Sequence, residues 1–234
     1  MGKLKMPRKS TNVDMTAMCD VAFLLLTFFM LATQFKPDEP VTVVTPNSIS
    51  EIPLPDADVM LITIDDKGRI FIAMDNQLIR KEVIQEINEQ RGLNLTAEDI
   101  NKFARGASIG MPFNQLKNYL NATGDEQDKM DETTTGIPVD TSITSENNEF
   151  AVWVKSVSYA YARKNQSLTD EERKGKGLRY AIKADGDAPY PEVKDVISTF
   201  EGYKIFKFNL ITGLKAVPAG TAAYEESMKG VKGK

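Results

Sequence analysis

Residues 15–35 read MTAMCDVAFLLLTFFMLATQF, from Met15 to Phe35. Sixteen of these 21 residues are apolar, and Asp20 is the one that carries a charge. At about 1.5 Å per residue, a helix of this length covers about 31 Å, the thickness of a bilayer's hydrocarbon core. A cleaved signal peptide also joins a basic start to an apolar core. That core is usually only about 7–15 residues long and ends at small residues, which Ala32-Thr33-Gln34 matches poorly. A buried helix of a globular protein is rarely apolar on all faces. Window hydropathy therefore favours an uncleaved membrane span over residues 15–35. Lys3, Lys5, Arg8 and Lys9 precede it, whereas Lys36 is followed at once by Asp38 and Glu39. The positive-inside bias then puts residues 1–14 in the cytoplasm as a basic tail, and the chain from Lys36 onward outside it.

Averaged over its whole length, the chain looks like an ordinary soluble protein. Net charge is −4, and the mean hydropathy of −0.31 averages two unlike parts. The 234 residues contain no histidine, which excludes Ser-His-Asp and Cys-His catalysis and every His-ligated metal site. A single cysteine, Cys19, excludes an internal disulfide and any CxxC motif. No arginine-rich stripe suggests a nucleic-acid partner. With no nucleophile-base pair and no metal constellation, neither an enzyme nor a bound cofactor is expected.

An acid at the centre of a span costs about 2.5–3.5 kcal/mol, and such residues usually face a protein interior or a hydrated path. At about 100° per residue, Thr16, Asp20, Thr27 and Gln34 fall within about 40° of one another. A partner helix or a hydrated channel along that stripe would satisfy them. Two plainer alternatives stay open. Asp20 could snorkel to the cytoplasmic interface, and the threonines could bond back to their own helix. Cys19 reads as a small apolar residue.

Residues 36–57 carry Pro37, Pro40, Pro46, Pro53 and Pro55 and read as an extended linker, with folded structure starting near Val59. Met60–Ile64 and Arg69–Ala73, joined by Asp65-Asp66-Lys67-Gly68, read as a β-hairpin. Asp65 and Asp66 lack the twelve-residue spacing of a calcium loop and suit a turn. Lys81–Arg91 reads as a helix with Val83, Ile84 and Ile87 on one face. A strand over 179–184, a helix over 191–202 with Val193, Val196, Ile197 and Phe200 inward, and a strand from Ile205 to Ile211, stopped by Gly213, complete the set. The fold expected is α+β: one N-terminal transmembrane helix, then a small α/β sandwich over 58–213 in the order ββα, insert, βαβ.

The insert, residues 92–177, reads as mainly helical. Thr96-Ala97-Glu98-Asp99 opens like a capped helix. Gln115, Leu116, Tyr119 and Leu120 suggest a short helix after Pro112. Phe150, Trp153, Val154, Val157 and Tyr161 form an amphipathic stripe, either core or a platform for a sugar or a partner. Residues 123–148 are acidic and rich in Thr and Ser, and read as mobile. Asp185 and Asp187 imitate a catalytic pair but suit a strand-to-helix turn. Residues 214–234 read as a flexible tail.

The run Asp14-Met15-Thr16-Ala17-Met18-Cys19-Asp20-Val21, continued to Phe29-Met30, resembles the ExbD/TolR family of biopolymer-transport proteins. Thr16, Asp20, Val21, Phe29 and Met30 match the family pattern; Asp14 and Ala17 stand where Asn and Pro are usual. A second likeness lies at Tyr180-Ala181-Ile182-Lys183-Ala184-Asp185 with Tyr190, Val193, Val196 and Ile197. Together these cover about half the chain. The resemblance implies a single-pass protein of the bacterial inner membrane with a periplasmic domain. It implies a homodimer inside a ring of polytopic ExbB/TolQ-type protein, with a TonB- or TolA-like transducer as partner. By the same likeness Asp20 is the proton acceptor of a motor driven by the proton-motive force, with Thr16 and Thr27 lining its path and protons as coupling ion. The alternative is a TolR-like binding module that tethers the domain to peptidoglycan.

Overall fold

The computed structural model describes residues 15–32, 40–48, 57–166 and 177–214. The expected basic tail, the last residues of the span (33–35), the linker residues 36–39 and 49–56, and the tail beyond Leu214 lie outside these. The chain divides into two units, Met1–Asp38 and Glu39–Lys234. In the first, α1 runs Met15–Ala32 with a mean hydropathy of 2.0, and none of its side chains is buried.

The second unit runs β1 (Asn47–Ser48), β2 (Val59–Ile64), β3 (Ile70–Met74), α2 (Gln77–Arg91), α3 (Ala97–Arg105), β4 (Ser108–Ile109), α4 (Phe113–Asn121), α5 (Gly124–Thr133), α6 (Glu149–Gln166), β5 (Arg179–Ala184), α7 (Tyr190–Gly202), β6 (Phe208–Leu210) and β7 (Gly213–Leu214). Five strands form one sheet in the order β4-β3-β2-β5-β6, and β1 and β7 pair separately. β2 is antiparallel to β3, from Met60 opposite Met74 to Ile64 opposite Ile70, and parallel to β5. The α+β architecture expected from the sequence is present.

Alternation along β2 fixes the core. Met60, Ile62 and Ile64 are wholly buried, while Leu61 and Thr63 on the other face are half-buried. The first set joins Ile70, Ile72, Tyr180 and Ile182 against Val83, Ile84 and Ile87 of α2, Trp153 and Val157 of α6, and Val196 and Phe200 of α7. Fully burying an aliphatic side chain of this size gains about 1.5–3 kcal/mol. The turn between β2 and β3 is held by Asp65, whose Oδ1 accepts the backbone N–H of Lys67 (3.0 Å) and Arg69 (2.7 Å). Its Oδ2 pairs with Arg69 Nε at 2.6 Å. That geometry fits the turn reading and leaves the carboxylate occupied.

Four elements differ from the sequence reading. α2 starts at Gln77 instead of Lys81, because Asn76 Oδ1 caps it by accepting the N–H of Leu78 and Ile79. The strand expected over 205–211 shrinks to Phe208–Leu210. Tyr203, Lys204 and Ile205 are taken up closing α7, with Ile205 N–H donating to Phe200 O (2.8 Å) and Lys204 at φ +60°. This is a Schellman closure with lysine in the left-handed position that glycine usually fills. Gly213 opens β7 instead of ending the fold, pairing with Asn47 while Leu214 pairs with Ser48. Finally, residues 123–148, read as mobile, contain α5, with the boxed cap Thr123/Glu126 at its start.

The described part of the insert, residues 92–166, contributes to the core. It adds β4 to the sheet edge, where Ile109 pairs with Ile72. The stripe Phe150, Trp153, Val154, Val157 and Tyr161 is at most 2% exposed, so its packing reading holds and a sugar platform on it does not. Asn148 ties the insert to α7. Its buried amide donates to Asp140 O, Ser142 O and Thr199 Oγ1, and its Oδ1 accepts the Ala151 N–H at the start of α6. Beyond α5, Gly136 takes φ +79° where a Cβ would stand 2.6 Å from Ile70 N. Only glycine allows so close an approach to β3.

Candidate functional site

α1 is continuous over Met15–Ala32 because nothing in it breaks a helix: neither Gly nor Pro occurs, and Leu, Met and Ala dominate. Asp20 sits in its second turn, about 8 Å along the axis from Met15. Thr16 and Thr27 share its face by helical geometry. Thr27 Oγ1 donates to Leu24 O at 3.0 Å, so its proton is used within the helix while its lone pairs stay available as acceptors. Gln34, the fourth member of the stripe, lies outside the described residues. Phe23, Leu24 and Leu31, exposed by 64–86%, flank that stripe on its two sides. Cys19 is exposed on the same helix.

A carboxylate on such a helix has one evident chemistry. Protonated, it is a neutral polar group that hydrocarbon tolerates. Ionised, it needs water or a partner dipole. For a carboxyl in that setting, gain or loss of one proton would change its solvation cost.

The other acids considered from the sequence are used structurally. Asp185 Oδ1 accepts the N–H of Asp187 (3.0 Å), and its Oδ2 accepts the N–H of Val44 (2.7 Å). Gly186 N–H returns a bond to Val44 O (2.9 Å). The described part of the segment read as an extended linker is thus clipped at Val44 to the turn after β5, and β1 continues the attachment. The sequence gives no signal for this contact, which joins residues 141 positions apart. Those backbone donors, Asp187 first and then Val44, hold the Asp185 carboxyl below the usual carboxylate range. The clip is therefore at full strength above that range, and is lost as pH falls through the depressed value. Asp185→Ala is expected to strip the Val44 amide of its protection in hydrogen exchange at neutral pH. Unaltered protection would show that the β1–β7 pairing alone holds the strap.

Among the described residues, no group of three or more Asp, Glu or Cys side chains could hold a metal ion. Neither a curated protein nor a solved structure gives a significant match to the chain. One family does. Its match covers residues 6–215, taking in α1 with Asp20, the strap, the sheet and the insert, and by that match the chain belongs to the family of the biopolymer transport protein ExbD/TolR.

Proposed function

We propose that this chain is the energy-coupling subunit of a bacterial inner-membrane complex driven by the proton-motive force. The observation that carries the reading is Asp20, the single acid on an apolar helix of near-membrane length, in a chain of the ExbD/TolR family. Family and helix together fit a single-pass membrane protein. In the proposed assembly the N-terminus is cytoplasmic and residues 36–234 are periplasmic. Two copies of α1 stand inside a ring of polytopic ExbB/TolQ-type protein, and the folded domain engages a TonB- or TolA-like transducer. Asp20 accepts a proton from one side and releases it to the other, with Thr16 and Thr27 offering hydroxyl oxygens along the path. The coupling ion is the proton, and no cofactor takes part.

The rival reading, a domain that only tethers the membrane to peptidoglycan, loses the exposed aromatic platform that a sugar would stack on, because that stripe is core. The assembly is tested by purifying the tagged full chain from membranes in mild detergent. Stoichiometric recovery of a polytopic membrane protein is the expected result, for wild type and Asp20→Asn alike. Recovery of the chain alone would overturn it.

A further inference from the structure

Asp131, near the end of α5, is 5% exposed and lies where the insert meets the β2–β3 turn. Its Oδ2 accepts a hydrogen bond from the Tyr119 hydroxyl of α4 (3.0 Å), and its Oδ1 is buried with no partner among the described residues. The nearest cation is committed elsewhere. Arg69 Nη1 donates to the backbone carbonyls of Asp131 (2.8 Å) and Glu132 (2.7 Å), its Nε pairs with Asp65, and its guanidinium lies 5.6 Å from the centre of the Phe71 ring. Arg69 therefore caps the last turn of α5 and attracts the Asp131 carboxyl only through space. Asp128, one turn earlier on α5, adds a like charge. Among the described residues, Tyr119, Asp128 and Arg69 act on the Asp131 carboxyl, and Asp65 lies behind Arg69.

A carboxylate with a buried, unpartnered oxygen is costly, whereas a carboxylic acid could donate its proton or leave a weaker acceptor behind. Burial, with Asp128 adding to it, outweighs the Tyr119 bond and the pull of Arg69, and raises the Asp131 pKa to about 6. Tyr119 shifts in the same direction, raised by burial and by Asp131, so it stays protonated as the donor.

We propose that α5 is a pH-sensitive latch: it seats on the β2–β3 turn while Asp131 is neutral, and its packing loosens when Asp131 ionises. The latch carries more than its own helix. The segment leaving α5 packs Thr134 and Ile137 into the core, with Thr134 Oγ1 donating to Gly110 O beside β4 and Ile137 N–H donating to Ile70 O on β3. Loosening α5 therefore frees the edge of the sheet. If residues 36–234 face the proton-rich side of the membrane, as the function proposed above has it, the latch is tighter when the membrane is energised. That consequence rests on the proposed function. The latch itself does not, because a pH profile of the purified protein reads it without any transport.

The sign follows from the raised value: the folded protein binds this proton more tightly than the unfolded chain, so the stability that Asp131 contributes is greatest at low pH. It declines as pH rises from the ordinary Asp range through about 6. Hydrogen exchange of the full chain in detergent, corrected for the intrinsic pH dependence of exchange, tests this. Between pH 5 and 8, protection over residues 124–137 is expected to fall about tenfold in wild type and to stay level in Asp131→Asn. Tyr119→Phe, which removes the donor that helps the ionised form, is expected to steepen the fall. A level wild-type profile, a persisting fall in Asp131→Asn, or an unchanged or shallower fall in Tyr119→Phe each overturns the latch. Failure of the transport reading would leave these profiles untouched.

Discussion

Asp20→Asn is expected to abolish proton-dependent transport while leaving expression and assembly intact. The substitution keeps the size and polarity of the side chain and removes only its ability to gain and lose a proton. One elementary charge crossing 100 mV releases about 2.3 kcal/mol, so a helix that cannot exchange that charge has no access to the energy. Loss of a positioned proton-transfer group typically costs about 10²–10⁴-fold in rate, which would put the variant at the background of a transport assay. Asp20→Glu retains a carboxyl one methylene further from the backbone and is expected to keep measurable activity. The pair of variants separates titration from mere polarity. Full transport by Asp20→Asn would remove the motor reading, whatever the state of the assembly.

The largest effect on stability is expected at Trp153. It is wholly buried on α6, stacked on Phe103 of α3 (centroids 5.6 Å apart, planes at 12°) and tilted against Phe113 of α4 at 5.5 Å. One ring thus bonds three helices of the insert together. Trp→Ala in a core costs about 3–5 kcal/mol through lost transfer energy and the cavity left behind. Domains of this kind have only about 5–15 kcal/mol in total. A drop in the urea midpoint matching that loss is the expected result, and a change below about 1 kcal/mol would mean the surroundings collapse to fill the space. Trp153→Phe should be far milder. It keeps an aromatic ring in the stack, and the indole N–H it removes has no acceptor among the described residues.

Local signals in the sequence were reliable guides here, and contacts across long separations were not. The β2–β3 hairpin is visible because short apolar runs stand on either side of Asp65-Asp66-Lys67-Gly68, and β5 and the Val193–Phe200 face of α7 are visible from equally local patterns. The start of α2 hides because Leu78, 79% exposed, breaks the apolar period just where Asn76 caps the helix. Ile205–Ile211 alternates like a strand, yet its first residue is drawn into the closure of α7, a tertiary choice that periodicity cannot express. β1 and β4 have two residues each and exist only through their partners. For the candidate site the same division applies. Asp20 stands out because one acid in an apolar run is a local anomaly. The burial of Asp131 depends on Tyr119 and Arg69, which lie 12 and 62 residues away, and nothing in the acidic run around it marks it.

The parallel pairing of β2 with β5 also governs how the domain can be made. Val59 and its partner Arg179 are separated by 120 positions, and β2 is the middle strand of the sheet. At synthesis rates of about 5–20 residues per second, the β2–β3 hairpin waits roughly 6–24 s for the strand that completes it. Throughout that interval one side of β2 offers unpaired backbone groups and the apolar face of Met60, Ile62 and Ile64 lacks its later cover. Nascent chains held in one place at high local density could then pair with each other through that edge. Early folding of α2, whose Val83, Ile84 and Ile87 shield the hairpin's apolar face, is the local defence the chain carries against it.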